Sequence, residues 1–242
     1  MKKNLILFLA LVNVFFAYPQ NADEIIKKHI EAIGGREKLK SISSVKTEMK
    51  MKAQMFEFPV SAVVTKDGST KTETTFQGMK MEQAYDANSK TGWMVNPMMG
   101  DKSAQKMNEE QLQDMQDENK IESPLLDYKL KGHSVEYLGK DDVDGEEVYL
   151  LMLTKKNGNI TYYYIDTQNY MIWKEKSKIK LKEKEYEGET YFYNYNVVDG
   201  ITTAFTTEVY SDGKVAMQTN IEKIEYNKAI DPSTFKMPEK KK

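Results

Sequence analysis

From Val45 to Lys52 the chain alternates residue by residue. Val45, Thr47, Met49 and Met51 fall on one side, and Lys46, Glu48, Lys50 and Lys52 on the other. Such a period of two predicts a strand with one buried and one wet face. Similar stretches recur at Phe56–Thr65, Thr70–Phe76, Gly78–Tyr85 and Gly92–Val95. After a polar interval they resume at His133–Leu138, Thr190–Asn196, Ile201–Tyr210 and Val215–Tyr226. The pattern is densest between Glu146 and Ser177. There Val148–Thr154, Ile160–Asp166 and Tyr170–Glu175 read as a three-strand meander, and Val148–Thr154 is apolar on both faces. A strand of that kind needs cover on both sides. Asp144–Gly145, Asn157–Gly158, Asp199–Gly200 and Asp212–Gly213 punctuate the second half, and both members of such pairs tolerate the positive φ of tight hairpins.

Helical periodicity is confined to three places. In Glu24–Ile33, after a capping Asn21 or Asp23, residues Ile25, Ile26, His29, Ile30 and Ile33 form one apolar stripe, and Gly34–Gly35 closes the helix. A short turn of helix is expected at Arg36–Lys40. Asp101–Lys120 is polar, with a weakly amphipathic helix at Glu109–Glu118 carrying Leu112 and Met115; it reads as a flap over the sheet or a plain surface helix. Sequential hairpins with few helices predict a mainly β (α+β) fold. Its curved antiparallel sheet would form an incomplete, half-open barrel with covering helices.

Lys2 and Lys3 precede the apolar run Leu5–Phe16, and Ala17 follows. This reads as a secretory signal over residues 1–20, cleaved between Ala17 and Ala22, with a single domain at 21–242. The run falls short of the roughly 20 residues that span a bilayer as a helix. The sequence has no cysteine, which excludes disulfides, thiol chemistry and a lipid on a cysteine after the signal. Without Lys2 and Lys3 the formal net charge moves from −2 to about −4, which argues against nucleic acid or an anionic membrane as partner. The three lysines closing the tail read as a solubilising end.

Candidate chemistry is sparse. The two histidines are separated: His29 sits on the apolar stripe and reads as a packing residue, while His133 stands alone. No zinc-protease, phosphate-loop or nucleophile-elbow pattern can be written, and no carboxylate pair is singled out. Asp141, Asp142, Asp144 and Gly145 invite a calcium loop, but Lys140 would occupy its first ligand position, so a solvated turn is expected. No metal and no cofactor is therefore expected. Methionine is the unusual feature: ten of fifteen lie between Met49 and Met115, including Met49-x-Met51 and Met79-x-Met81. In a strand each M-x-M pair shares a face. That suits Cu(I) capture by soft thioethers or, preferably, an adaptable apolar lining. Tyr162 with Tyr164, and Tyr191 with Tyr193 and Tyr195, form ladders suited to a sheet surface or the rim of a lipid cavity.

In order along the chain come an exported opening with an amphipathic helix, Trp93-x-x-Asn96-Pro97, a helical insertion ending near Pro124–Leu126, and the closing segment Ile230–Pro238. In these features the sequence resembles the periplasmic outer-membrane lipoprotein carriers of the LolA type and their superfamily, which includes LppX-like lipid binders and the RseB sensor domain. The resemblance implies an incomplete barrel whose helices lid an apolar cavity for acyl chains. It further implies a non-enzymatic periplasmic carrier or receptor serving lipoprotein sorting as a monomer, with acyl chains of lipoproteins or lipids as partners and an envelope protein as a further one. Those carriers hold the lid with an arginine on an early strand. Val45–Lys52 has none, and Arg36, before the strands, is the chain's one arginine. Trp93, Val95, Leu151, Leu153, Tyr162, Tyr164 and Phe205 are the expected lining. The other readings are a regulatory protein-binding module of the same fold and, more remotely, an envelope enzyme.

Overall fold

The computed structural model describes residues 21–118, 121–181 and 184–238. The expected signal at 1–20 and the lysine tail at 239–242 lie outside the described residues.

Helix α1 (Ala22–Ala32) starts where Asn21 accepts a hydrogen bond from the Asp23 amide, and buries Ile25, Ile26, His29 and Ile30. It ends at Gly34, whose φ is +129° and where a Cβ would stand 2.8 Å from the Gly200 carbonyl oxygen. Only glycine allows the chain to pass that close. Beside this point the Thr202 amide and hydroxyl donate to the carbonyls of Ile33 and Ala32, tying the helix end to the sheet. Helix α2 (Arg36–Ser41) follows.

Six strands then form an antiparallel meander: β1 (Ser44–Ala53), β2 (Phe56–Thr65), β3 (Thr70–Phe76), β4 (Met79–Asp86), β5 (Thr91–Asn96) and β6 (Asp101–Lys106). After α3 (Glu109–Glu118), seven more make a second one: β7 (Ser134–Val143), β8 (Glu146–Thr154), β9 (Ile160–Asp166), β10 (Ile172–Leu181), β11 (Lys184–Val198), β12 (Ile201–Ser211) and β13 (Lys214–Tyr226). The meanders join through β1 and β13, so one sheet runs β6-β5-β4-β3-β2-β1-β13-β12-β11-β10-β9-β8-β7. This is one curved, unclosed antiparallel sheet with few helices, the incomplete barrel expected.

Because β6 and β7 lie at opposite edges, their connection must cross the whole sheet. It does so on the face that α1 covers, called the inner face below: Leu125, Leu126 and Tyr128 join Ile25, Ile26 and Ile30 over Leu151, Leu153, Tyr163 and Ile165. A second cluster, Ile42, Ile201, Ile224 and Tyr226, lies on the same face around the β1–β13 junction.

Two elements depart from the sequence reading. β6 falls in the polar interval, and the β10–β11 hairpin extends well beyond Glu175 and Thr190 through a run rich in lysine and glutamate. β6 is an edge strand without apolar alternation; the hairpin alternates Ile179 and Leu181 with lysine amid dense charge, and it is held by its ladder and cross-strand ion pairs such as Lys178–Glu187. Of the turn pairs, Asp144–Gly145, Asp199–Gly200 and Asp212–Gly213 adopt positive φ at both residues. Asn157 does not; it sits in a longer turn where Lys155 and Asn159 pair and its side chain accepts from the Asn159 amide.

Candidate functional site on the inner face of the sheet

Sheet register divides the inner face into a sealed and an open half. On the sealed side, Leu151 and Leu153 are fully buried beneath α1 and the crossover. His29 lies here, its Nδ1 2.8 Å from the Tyr170 carbonyl; burial lowers its pKa, and it is a packing residue. Two carboxylates clamp the crossover to the helices. Asp23 on α1 accepts from the Tyr128 hydroxyl and the Lys129 ammonium, both at 2.7 Å. Asp127 in the crossover accepts from Arg36 Nε and Nη2 at 2.9 Å each and from Lys40 at 2.6 Å. Those cations hold Asp127 down at about 2. His133 accepts from the Lys156 amide, and Asp142 from the Gly145 amide in a solvated turn.

The open half lies over β1–β5. One rung reads Met49–Val60–Thr74–Met81, the next toward the hairpin tips pairs Met51 with Phe58, and another runs Thr47–Ala62–Thr72–Gln83–Met94. The register thus gathers both M-x-M pairs and Met94 on one face. Met49, Met51, Phe58, Met81 and Met94 are only half-buried, unlike the leucines of the sealed half. A groove of about 230 Å³ opens there, with Thr72, Thr74, Met81, Glu82, Gln83, Met94, Val95 and Asn96 in its wall. Its end is roofed by α3: Gln111 reaches the Met94 sulfur, and a Cβ on Gly92 would lie 2.5 Å from the Met107 sulfur and 2.9 Å from Leu112. Gly92 has no positive φ, so the glycine is there for space. The flap reading of Glu109–Glu118 has this geometry. A larger depression of about 390 Å³ at the other end of the strands is lined by Ile230, Pro232 and Phe235 together with polar side chains, of which Asp67 already accepts from Thr65, Ser69 and Asn88.

The residues expected from sequence as lining fall on both faces. Leu151 and Leu153 are inner and sealed. Phe205 is inner and half-buried beside Ile201 and Ile224. Trp93 points to the outer face of β5, in line with Ala84 and Lys71; Val95 shares its parity, paired with Glu82, yet both of these line the groove at its β4–β5 wall. The Trp93 indole is buried there and donates to the Phe235 carbonyl at 2.8 Å, so the closing segment Asp231–Phe235 covers it. Tyr162 and Tyr164 are on the outer face of β9, where Tyr164 and Tyr191 flank the Lys174 ammonium at 5.3 and 5.0 Å. Tyr191 and Tyr193 stack, but the left-handed Asn194 turns Tyr195 away from them and its hydroxyl donates to the Ile172 carbonyl. Met49, Met51 and Met81 were signalled by the M-x-M spacing; Met94, in no such pair, was not.

No family profile matches the sequence, and neither does any curated protein. Solved structures do. A LolA superfamily protein from Nitrosomonas europaea is 11% identical, with 90% of this chain and 98% of that one covered and a TM-score of 0.57. A DUF1329 family protein from Desulfovibrio piger is 12% identical over 88% of this chain and 96% of its own, at 0.56. A domain assigned as an outer membrane lipoprotein-sorting protein from Vibrio parahaemolyticus is 14% identical over 88% and 94%, at 0.55. Likeness at such identities is a likeness of fold, and on that ground the chain has the LolA-like incomplete-barrel fold.

Proposed function

We propose that this protein is an exported, non-catalytic carrier or receptor that takes acyl chains of lipids or lipoproteins onto its open inner face, in the service of outer-membrane lipoprotein sorting. The observation that carries this reading is the contrast within one face: a sealed leucine core on one side, and on the other a half-open surface of Met49, Met51, Phe58, Met81 and Met94. Each methylene buried there contributes about 0.8 kcal/mol, so a long chain is held without a charged anchor. Methionine side chains adapt to chains of differing length and unsaturation. Of the residues expected as lining, Phe205 shares this face with the methionines, and Leu151 and Leu153 form its sealed floor. The chain's likeness of fold to the lipoprotein-sorting domain from Vibrio parahaemolyticus supports the same role.

Copper capture fits less well. Met49 and Met81 are separated by two intervening strands, and Met94 is diagonal to Met81, so these three thioethers are not direct cross-strand neighbours. For export, the sequence of residues 1–20 is the support; no described helix is long and apolar enough to cross a membrane.

Mass spectrometry of the protein purified from the envelope without detergent tests the reading. A stoichiometric acylated species is expected, and its loss in Met51→Asp would place it on the open face. An empty protein that also takes up no apolar fluorescent dye would overturn it.

A further inference from the structure

One inner-face rung crosses from the sealed to the open half. It runs Leu151–Tyr163–Glu175–Thr190–Val209–Met217 over β8 to β13, with Glu175 at the boundary. On one side Leu151 and Tyr163 are buried; on the other Thr190, Val209 and Met217 are half-buried and uncovered by α1. The Glu175 carboxylate has no hydrogen-bond or ion-pair partner among the described residues. Among the described residues no fully buried side-chain oxygen lacks a partner, so its own oxygens reach accessible space on the inner face. The neighbouring Tyr195 hydroxyl is committed to the Ile172 carbonyl.

The next rung supplies room. Ser177 pairs with Gly188, and a Cβ on Gly188 would meet nothing within 4 Å. Gly188 has no positive φ, so its backbone does not require glycine. Lys155 attracts Glu175 from a distance without forming an ion pair, and an acidic side chain with no close partner, next to an unfilled position, costs stability unless something pairs with it. Burial pushes Glu175 up to about 7, a measure of that cost.

We propose that Glu175 is the polar end of the ligand site and pairs with the primary ammonium head group of an amphiphile. The chain of that amphiphile lies across Val209 and Met217 toward Met51. Three strand spacings separate Glu175 from Met217, about 14 Å, a span that suits a long alkyl chain. This assignment rests on the carrier reading and names the class of head group it selects.

The test compares dodecylamine with dodecanol, equal in chain and different in head, by displacement of a bound apolar dye at pH 8. Wild type should bind the amine tighter by about tenfold, the worth of one charge-assisted hydrogen bond. Glu175→Gln should remove that preference and leave dodecanol unchanged, whereas Glu57→Gln, an exposed carboxylate, should keep it. Gly188→Leu, which fills the space beside Glu175, should weaken the amine while dye uptake persists. Equal affinity for the two amphiphiles in wild type, or a preference that survives Glu175→Gln, overturns the assignment and leaves the apolar trough standing. If neither amphiphile nor the dye binds, the carrier reading itself falls.

Discussion

Arg36 on α2 grips Asp127 in the crossover through two contacts of 2.9 Å, joining segments 91 residues apart. The chain's one arginine thus serves to pin the segment that crosses the inner face, although it lies before the strands. Asp127 has φ +51°, a conformation asparagine tolerates well, so Asp127→Asn removes charge without backbone strain. Arg36 and Lys40 depress its folded pKa to about 2, below the unfolded 3.8. The resulting stability is present above pH 3.8 and lost as pH falls through about 2. Asp127→Asn should cost about 1 kcal/mol at pH 7 in urea denaturation, with the gap to wild type closing near pH 2. Hydrogen exchange should quicken first in residues 121–133.

Gly92 controls the flap. Any side chain there must displace Met107 and Leu112, since even a Cβ would stand 2.5 Å from the Met107 sulfur. Gly92→Val should therefore lift α3 from β5 and cost about 1–3 kcal/mol by overpacking. If α3 roofs the ligand groove, apolar dye should exchange faster in this variant while its binding stoichiometry stays the same. A dye rate equal to wild type would show that α3 does not gate the groove.

Alternating strands, the first helix and most hairpin turns were legible because each needs a local pattern: apolar residues at period two, an isoleucine stripe, Asp-Gly pairs. β6 was not, since an edge strand needs no apolar face, and in the distal β10–β11 hairpin dense lysine and glutamate obscured the alternation of Ile179 and Leu181. Inner and outer assignment was also hidden. Parity along a strand is local, but which parity faces α1 depends on the β1–β13 junction, where the pairing steps from Glu48–Lys223 to Met49–Ile221. Trp93 shows the consequence. A large aromatic on β5 suggests an interior, yet the closing segment supplies its cover from outside. The M-x-M pairs carried the better signal for the open face, because an exposed outer face alternating with lysine, as on β1, leaves the methionines facing inward.

Trp93 fastens the C-terminal segment. Its indole donates to the Phe235 carbonyl at 2.8 Å, and Lys71 lies 5.7 Å from the ring. Trp93→Phe keeps an aromatic filler and deletes the donor, leaving a buried carbonyl short of its partner. A loss of about 1–3 kcal/mol in urea denaturation is expected. Limited proteolysis at Lys228 and Lys236 should accelerate in step. Ligand uptake should be unaffected, because this packing lies on the outer face; reduced dye binding at full folding would place Trp93 in the site instead.

Glu175 gives an opposite pH signature to Asp127. Its folded pKa, about 7, exceeds the unfolded 4.5, so between those values the folded chain holds a proton that the unfolded chain has lost. Stability from this group consequently falls as pH rises from 4.5 to 7 and levels off above. The full shift corresponds to about 3 kcal/mol, and for a half-buried carboxylate about 2 kcal/mol is the expected size. Glu175→Gln removes the charge and keeps the shape. The variant should match wild type in thermal unfolding near pH 4.5 and exceed it at pH 8. Saturating dodecylamine at pH 8 should raise the wild-type midpoint more than that of the variant, since only the wild type gains a partner for a buried charge. A variant less stable than wild type at pH 8 in the absence of ligand would mean that Glu175 is already paired within the protein, and the ammonium assignment would lose its physical basis.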